Sequence, residues 1–191
     1  NGCKDTLKID SAIYVNGPIV HSVTPSMDCD SSLVYVFEAD IVDGDNWDWV
    51  FGDGDTIFAS TADSVVHTYA SSGTYWVYCT AYNFGTGCDY KDSVEIHVYD
   101  VEAVLNGPDT VCAGEQVIYN GYPSVDAVEY YFDFDNGQVV GFSTDGDKAT
   151  TYNNPGNYTI TFVAKDDNGC VDTLLLDVYV NQPIAGFYAD T

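Results

Sequence analysis

Asp45-Asn46-Trp47-Asp48-Trp49-Val50-Phe51-Gly52-Asp53-Gly54, followed by His67-Thr68-Tyr69 and then by Gly73-Thr74-Tyr75-Trp76-Val77, is the stretch that decides the fold. Alternation along it puts Trp49 and Phe51 on one inward face, and Gly52-Asp53-Gly54 reads as a tight turn. The Tyr-rich segment beginning at Gly73 then returns as a strand beside it. Around this stretch the 191-residue chain is 15% aromatic, with 16 Tyr and 17 Gly and almost no apolar spacing of helical period. Such a composition favours an all-β protein.

The order Trp-x-Phe-Gly-Asp-Gly, His-Thr-Tyr and Gly-x-Tyr-x-Val resembles the polycystic kidney disease (PKD) domain, an immunoglobulin-like β-sandwich. One departure is Val50, where that family usually carries Asp or Asn, so any bond made by that side chain is missing here. The resemblance implies a motif core of Trp49, Phe51, Gly52, Asp53, Gly54, Tyr69 and Tyr75. A second copy follows with weaker letters: Tyr131-Phe132-Asp133-Phe134-Asp135-Asn136-Gly137, then Thr151-Tyr152, then Gly156-Asn157-Tyr158-Thr159-Ile160. Its core positions are Phe132, Phe134, Tyr152 and Tyr158, and Asp133 restores the acid lost at Val50. His67 has no counterpart in that copy, which favours a packed or hydrogen-bonded turn histidine over a catalytic one.

A further motif recurs three times, as Gly2-Cys3-Lys4-Asp5-Thr6-Leu7, Gly87-Cys88-Asp89-Tyr90-Lys91-Asp92-Ser93-Val94 and Gly169-Cys170-Val171-Asp172-Thr173-Leu174, at spacings of 85 and 82 residues. A fixed period of this length marks a tandem array. The frame predicts the last strands of a preceding repeat over 1–16, sandwiches over 17–100 and 101–181, and the first strand of a following repeat over 182–191. Tyr99-Asp100-Val101 leaves no flexible linker between the two sandwiches, so the expected architecture is an elongated rod of tandem sandwiches.

Thirty acidic residues against five basic ones, all Lys, give a formal charge of −25. That balance argues against nucleic acid and anionic membrane surfaces, which need clustered cations. It is the charge of a solvated, self-repelling surface, with a surface tuned for divalent cations as the sharper reading. No run of eighteen apolar residues occurs and no basic-then-apolar leader opens the sequence, so the expected segment neither spans a membrane nor carries its own export signal.

Six cysteines occur without a Cys-x-x-Cys pair, which suits a disulfide framework in an oxidising compartment. Placed on the PKD-like repeat, they suggest Cys112 with Cys170 and Cys29 with Cys88, and a partner for Cys3 in a preceding repeat. Cys79 is left over on the register Tyr75, Val77, Cys79, Ala81, where a small buried hydrophobe is the favoured reading.

No nucleophile elbow, zinc-binding helix motif or phosphate loop is present, and no Arg exists to clamp an anion, so no catalytic residue is assigned. Asp40, Asp43, Asp45, Asp53 and Asp55 are expected to bracket one end of the first sandwich and are candidate calcium ligands, the alternative being solvated turn residues. Asp133, Asp135, Asp145 and Asp147 cluster similarly in the second. The outward register of one strand carries Trp76, Tyr78, Thr80 and Tyr82 where the second copy has Thr159, Thr161, Val163 and Lys165. Trp76, Tyr78 and Tyr82 are therefore a candidate contact surface for protein or polysaccharide, against plain cross-strand packing.

Asp followed by Ser or Thr and an aliphatic residue occurs at Thr6, Ser11, Thr56, Ser64, Ser93, Thr110 and Thr173. The pattern is similar to the O-glycosylation acceptor of bacteria that use type IX secretion, although a turn entering a strand produces the same letters. The resemblance implies an exported bacterial cell-surface protein: a structural or adhesive stalk, related to gliding adhesins or filaments. Its partners would be neighbouring repeats, other filaments or surface polysaccharide; no cofactor is required, with Ca2+ as an option. The competing class is a binding module attached to a secreted hydrolase.

Overall fold

The computed structural model describes residues 17–182, and every regular element among them longer than a single 3-10 turn is a β-strand. In chain order the strands are β1 (Ile19–Met27), β2 (Val34–Val42), β3 (Asn46–Val50), β4 (Thr56–Ser60), β5 (Ser64–Thr68), β6 (Gly73–Asn83) and β7 (Cys88–Val98), with a turn at Cys29–Ser31. They continue as β8 (Thr110–Cys112), β9 (Gln116–Asn120), β10 (Glu129–Asp133), β11 (Val139–Ser143), β12 (Asp147–Thr151), β13 (Gly156–Lys165) and β14 (Val171–Asn181). The segments predicted over 1–16 and 183–191 lie outside the described residues, and with them Cys3, Thr6 and Ser11.

Each repeat folds into two sheets. The first has sheets ordered β1-β2-β5 and β4-β3-β6-β7, and the second has β11-β10-β13-β14-β8 and β12-β9. Tandem β-sandwiches are thus the architecture. The repeats agree to the level of an irregularity: β3 shifts register against β4 between Trp47 and Trp49, and β10 shifts against β11 between Tyr130 and Phe132. They differ at the first strand. β1 pairs with β2, whereas β8 lies parallel to the end of β14 through Tyr179↔Thr110, Val180↔Val111 and Asn181↔Cys112.

By backbone contacts the chain separates into two compact units. One takes residues 17–26, 35–67 and 74–96, and the other takes 27–34, 68–73 and 97–182. In the first unit β2 and β3 alternate buried and half-buried residues, so Phe37, Trp49 and Phe51 face inward together. Trp49 stacks on Phe51 at 6.4 Å between ring centroids, and Phe37 lies within 6.3 Å of both. In the second unit Tyr119, Phe132, Phe134, Ile160 and Phe162 close an equivalent core with no exposed surface. The indole N–H of Trp49 finds no acceptor among the described residues, a desolvation cost that Phe132 avoids in the second unit.

The expected cysteine pairs do not form. The bridge joins Cys29 to Cys170, both in the second unit, with Cα atoms 5.1 Å apart, and Cys88 and Cys112 are exposed free thiols. Strand length is the reason. Cys170 directly precedes β14 while Cys112 pairs with its last residue, Asn181, so eleven extended residues hold them roughly 35 Å apart. A disulfide needs Cα atoms within about 7 Å. In the first repeat Cys88 packs beside Gly17, ahead of β1, and Cys29 follows the end of that nine-residue strand. The two cysteines of each expected pair sit at opposite ends of extended strands.

Packing sets one clear test. A Cβ on buried Gly121 would stand 2.5 Å from Cζ of Phe162, whereas a Cβ on Gly141 would meet nothing within 4 Å. Gly121→Ala is expected to cost about 1–3 kcal/mol, and Gly141→Ala to stay within about 0.5 kcal/mol, read from urea midpoints at unchanged slope. Equal costs at the two sites would contradict this core.

Candidate functional site

The motif turn after β3 is closed by backbone and side chain together. The Phe51 N–H donates to the Asp55 carbonyl at 3.1 Å, and Oδ1 of Asp53 accepts from the Asp55 N–H at 3.0 Å. Gly52 is required at its position: φ is +88°, and a Cβ there would lie 2.7 Å from the Trp76 carbonyl oxygen. This close approach seats the turn against β6. Oδ2 of Asp53 then meets Nε2 of His67 at 2.7 Å, across from β5, and the buried His67 ring stacks on Phe51 at 4.1 Å. His67 therefore sits on a strand and not in a turn, and it is packed and hydrogen-bonded as the sequence suggested.

The second repeat makes the same connection with other atoms. Phe134 N–H donates to the Gln138 carbonyl, Oδ1 of Asn136 accepts from the Gln138 N–H, and Nδ2 of Asn136 donates to Oγ1 of Thr150 at 2.8 Å. Asn136 thus stands for Asp53 and Thr150 for His67. Asp135, at the position of Gly52, keeps a left-handed φ of 56° and accepts the Thr159 N–H on Oδ2. A pair with an ionised carboxylate in one repeat and a neutral pair in the other span the equivalent two strands, which identifies the arrangement as a latch between sheets.

Asp53, Asp55 and His67 bring ligand atoms within 4.8 Å of one another, the one such group among the described residues. Asp40, Asp43 and Asp45 do not join it. Asp45 precedes β3 and Asp53 follows it, so the five-residue strand holds them roughly 16 Å apart. Asp45 accepts the Phe84 N–H at 2.6 Å, Asp43 adopts a left-handed φ of 57°, and Asp40 lines a shallow surface cavity with Glu38 and Asp63. The five acids therefore do not bracket one end. The remaining trio does not fit calcium, which takes six to eight oxygens, because both Asp53 oxygens are engaged inside the protein and the third group offers nitrogen. In the second repeat Asp145 is held by Lys148 at 2.6 Å, and that bond, with the Asp147 N–H, lowers its pKa against slight burial.

The candidate aromatic row lies on β6 as expected. Trp76 is 46% exposed and stacks on Tyr78 at 6.5 Å, and Nζ of Lys91 covers the Tyr78 ring at 3.7 Å. Tyr82 is committed elsewhere: its hydroxyl donates to Oδ2 of Asp48 at 3.0 Å, and that bond, followed by burial, raises its pKa. The structure thus assembles Trp76 and Tyr78 but ties Tyr82 to the neighbouring strand. Cys79 is fully buried between Val77 and Ala81 on the opposite face. Burial first, then Asp92 and Asp48, push its thiol up to about 12, so it stays protonated and inert at neutral pH. Thr56, Ser64, Thr110 and Thr173 are exposed, and Ser93 is half-buried on β7.

Burial of Asp53 opposes ionisation, but the His67 bond and the Asp55 N–H outweigh it and hold the carboxyl below its ordinary range. A depressed native pKa contributes stability above the unfolded value and loses it as pH falls through the native one. The melting temperature of the parent should therefore exceed that of Asp53→Asn at about pH 5, by a margin that shrinks on further acidification. A difference independent of pH would leave the latch without its charge.

A family model described as PKD domain matches residues 16–98 and 101–180. Comparison with curated proteins finds no match. Among solved structures the chain is similar to one from a study of the promiscuous specificity of carbohydrate-binding modules of the β-sandwich superfamily, at 25% identity and TM-score 0.40, covering 43% of this chain and 34% of that one. It is also similar to the PKD domain of the human VPS10 domain-containing receptor SorCS2, at 22% identity and TM-score 0.35, covering 45% and 76%. A third is the Bacteroides ovatus mixed-linkage glucan utilization locus protein SGBP-B, at 14% identity and TM-score 0.34, covering 87% and 48%. The chain spans about a third of the first of these structures.

Proposed function

Because the chain belongs to the PKD domain family over residues 16–98 and 101–180, a non-catalytic kind of domain, we propose that it is a structural and adhesive repeat segment of a long exported cell-surface protein. In this reading it acts as a stiff spacer, flanked by further repeats, that projects an adhesive tip or forms part of a filament. The observation that carries the reading is the bridge from Cys29 to Cys170, which ties a residue of the first matched segment to one of the second. Only residues 99 and 100 separate those segments. A covalent tie across so short a connection suits a part whose task is to hold spacing. The charge of −25 keeps such a chain soluble and discourages self-association. Export belongs to the same proposal, since disulfides persist in oxidising surroundings. So does O-glycosylation at exposed Thr56, Ser64, Thr110 and Thr173.

Blotting of whole cells and medium with an antibody against residues 17–181 tests this. A cell-attached species far larger than the 20.8 kDa of this chain is expected. A released species of ordinary enzyme size would overturn the spacer reading and favour an accessory module of a secreted hydrolase.

One observation favours that second reading: Trp76, exposed beside the Lys91-covered ring of Tyr78, offers an aromatic face of the kind on which sugar rings rest. Under it, pull-down on chitin or cellulose would occur with the parent chain and be lost in Trp76→Ala. Under the spacer reading neither chain is retained.

A further inference from the structure

Each repeat carries one cysteine at each end of its long strands. In the second repeat Cys170 stands at the start of β14 and Cys112 beside its last residue, where the Ala113 N–H donates to the Asn181 carbonyl at 2.8 Å. In the first, Cys88 opens β7 against Gly17, and Cys29 follows the end of β1. Cys88 and Cys170 are counterparts, each preceded by a glycine in left-handed conformation, Gly87 at φ +68° and Gly169 at φ +91°. Cys29 and Cys112 are counterparts at the other end. Strand length forbids a bond between the two cysteines of one repeat.

The bond that forms runs from the far-end cysteine of one repeat, Cys29, to the near-end cysteine of the next, Cys170, with 141 residues between them. Cys88 and Cys112 are the two remaining halves of the same device. Both are exposed and free although the counterpart of each is bonded. Their places are also the right ones. Cys88 lies where the chain arrives in its repeat, beside Gly17, Pro18 and Ile19, and Cys112 lies where the chain leaves its own, beside Asn181. Cys29 holds the matching place in the first repeat: Ser32, three residues on, donates its hydroxyl to Asp100 at 2.9 Å.

We infer that Cys88 bonds the far-end cysteine of a preceding repeat and Cys112 the near-end cysteine of a following one, so that one staple recurs at every joint. This rests on the tandem-array reading above. Each bridge forms by thiol–disulfide exchange with an external disulfide, either a small molecule or a protein. One cysteine thiolate attacks it and expels a thiolate, and the second cysteine then displaces the other half. Two cysteine thiols thereby lose two protons and two electrons, and the external disulfide is reduced to two thiols. Cys79 takes no part, since it is buried and Phe162 replaces it in the second repeat.

The test uses the native parent polypeptide, with thiols blocked by iodoacetamide on intact cells, digested without reduction and mapped by mass spectrometry. Cys29 is expected on Cys170, Cys88 on a peptide from the N-terminal side of residue 17, and Cys112 on a Gly-Cys peptide from the C-terminal side of residue 182. In the Cys112→Ser parent the last bridge is lost and its partner becomes fully alkylated, while the other two bridges persist. Alkylated Cys88 and Cys112 in a parent that does contain flanking repeats would overturn the staple and leave the array standing. A parent without flanking repeats would overturn both. A dimer that collapses on reduction, with Cys88 or Cys112 bonded to a second copy, would overturn the staple as well.

Discussion

The packing of one large ring on the strand before the motif turn against a residue of the returning strand is the contact on which each sandwich depends. In the first repeat Trp49 is directly opposite Cys79, and in the second Phe132 is opposite Phe162. A large indole beside a small thiol fills about the space of two phenyl rings, so the pair conserves volume where neither member does. This explains a buried cysteine with no bond and no chemistry: it is small because Trp49 is large. Once that pair is set, alternation fixes Phe51 and Phe134 in the same layer, and the turn after them is forced to cross toward the opposite sheet.

The crossing is secured differently in the two repeats, and the difference is instructive. Asp53 with His67 is a short polar pair, one member charged, covered by the Phe51 ring; Asn136 with Thr150 is neutral. Burying the neutral pair costs less desolvation, while the pair in the first repeat gains from a charge-assisted bond and exposes its stability to acid. What the repeats share is the geometry of the turn, down to the bond from the ring residue's N–H to the carbonyl four residues on. The residue types are exchangeable because the requirement is a donor and an acceptor spanning two strands.

Much of this was legible in the sequence. Trp49, Phe51, Phe132 and Phe134 announce themselves through alternation beside Gly-rich turns, and the recurrence of Gly-Cys at 82 and 85 residues gives the repeat. The rest was not legible, and two parts of it share one reason. The partners of Cys29 and Cys170, and the separation of Asp45 from Asp53, depend on which end of an extended strand a residue occupies. Spacing along the chain does not report that, because a strand carries its two ends far apart while a turn brings distant residues together. The parallel seat of β8 against β14 was hidden likewise, since three residues of apolar alternation do not name their neighbour. The tie of Tyr82 to Asp48 was missed because both are ordinary surface types, although two-residue alternation on adjacent strands is the signal that would have paired them.

A bridge at this place acts on the unfolded chain more than on the folded one. Closing a loop of 141 residues lowers the entropy of the denatured ensemble by an amount worth about 5 kcal/mol in the chain-entropy model, comparable with the whole stability of a small sandwich. It also changes what tension can do. Without the bridge, pulling both repeats open would release the contour between residues 29 and 170, on the order of 480 Å. With it, that length stays closed even when the strands between have come apart. A load applied outside the two cysteines would bypass residues 30–169 through the sulfur–sulfur bond, while β1 and β14, which lie outside the closed loop, would still be pulled. Within the closed loop the limit on extension is covalent, and it does not depend on how well Trp49 or Phe132 is packed.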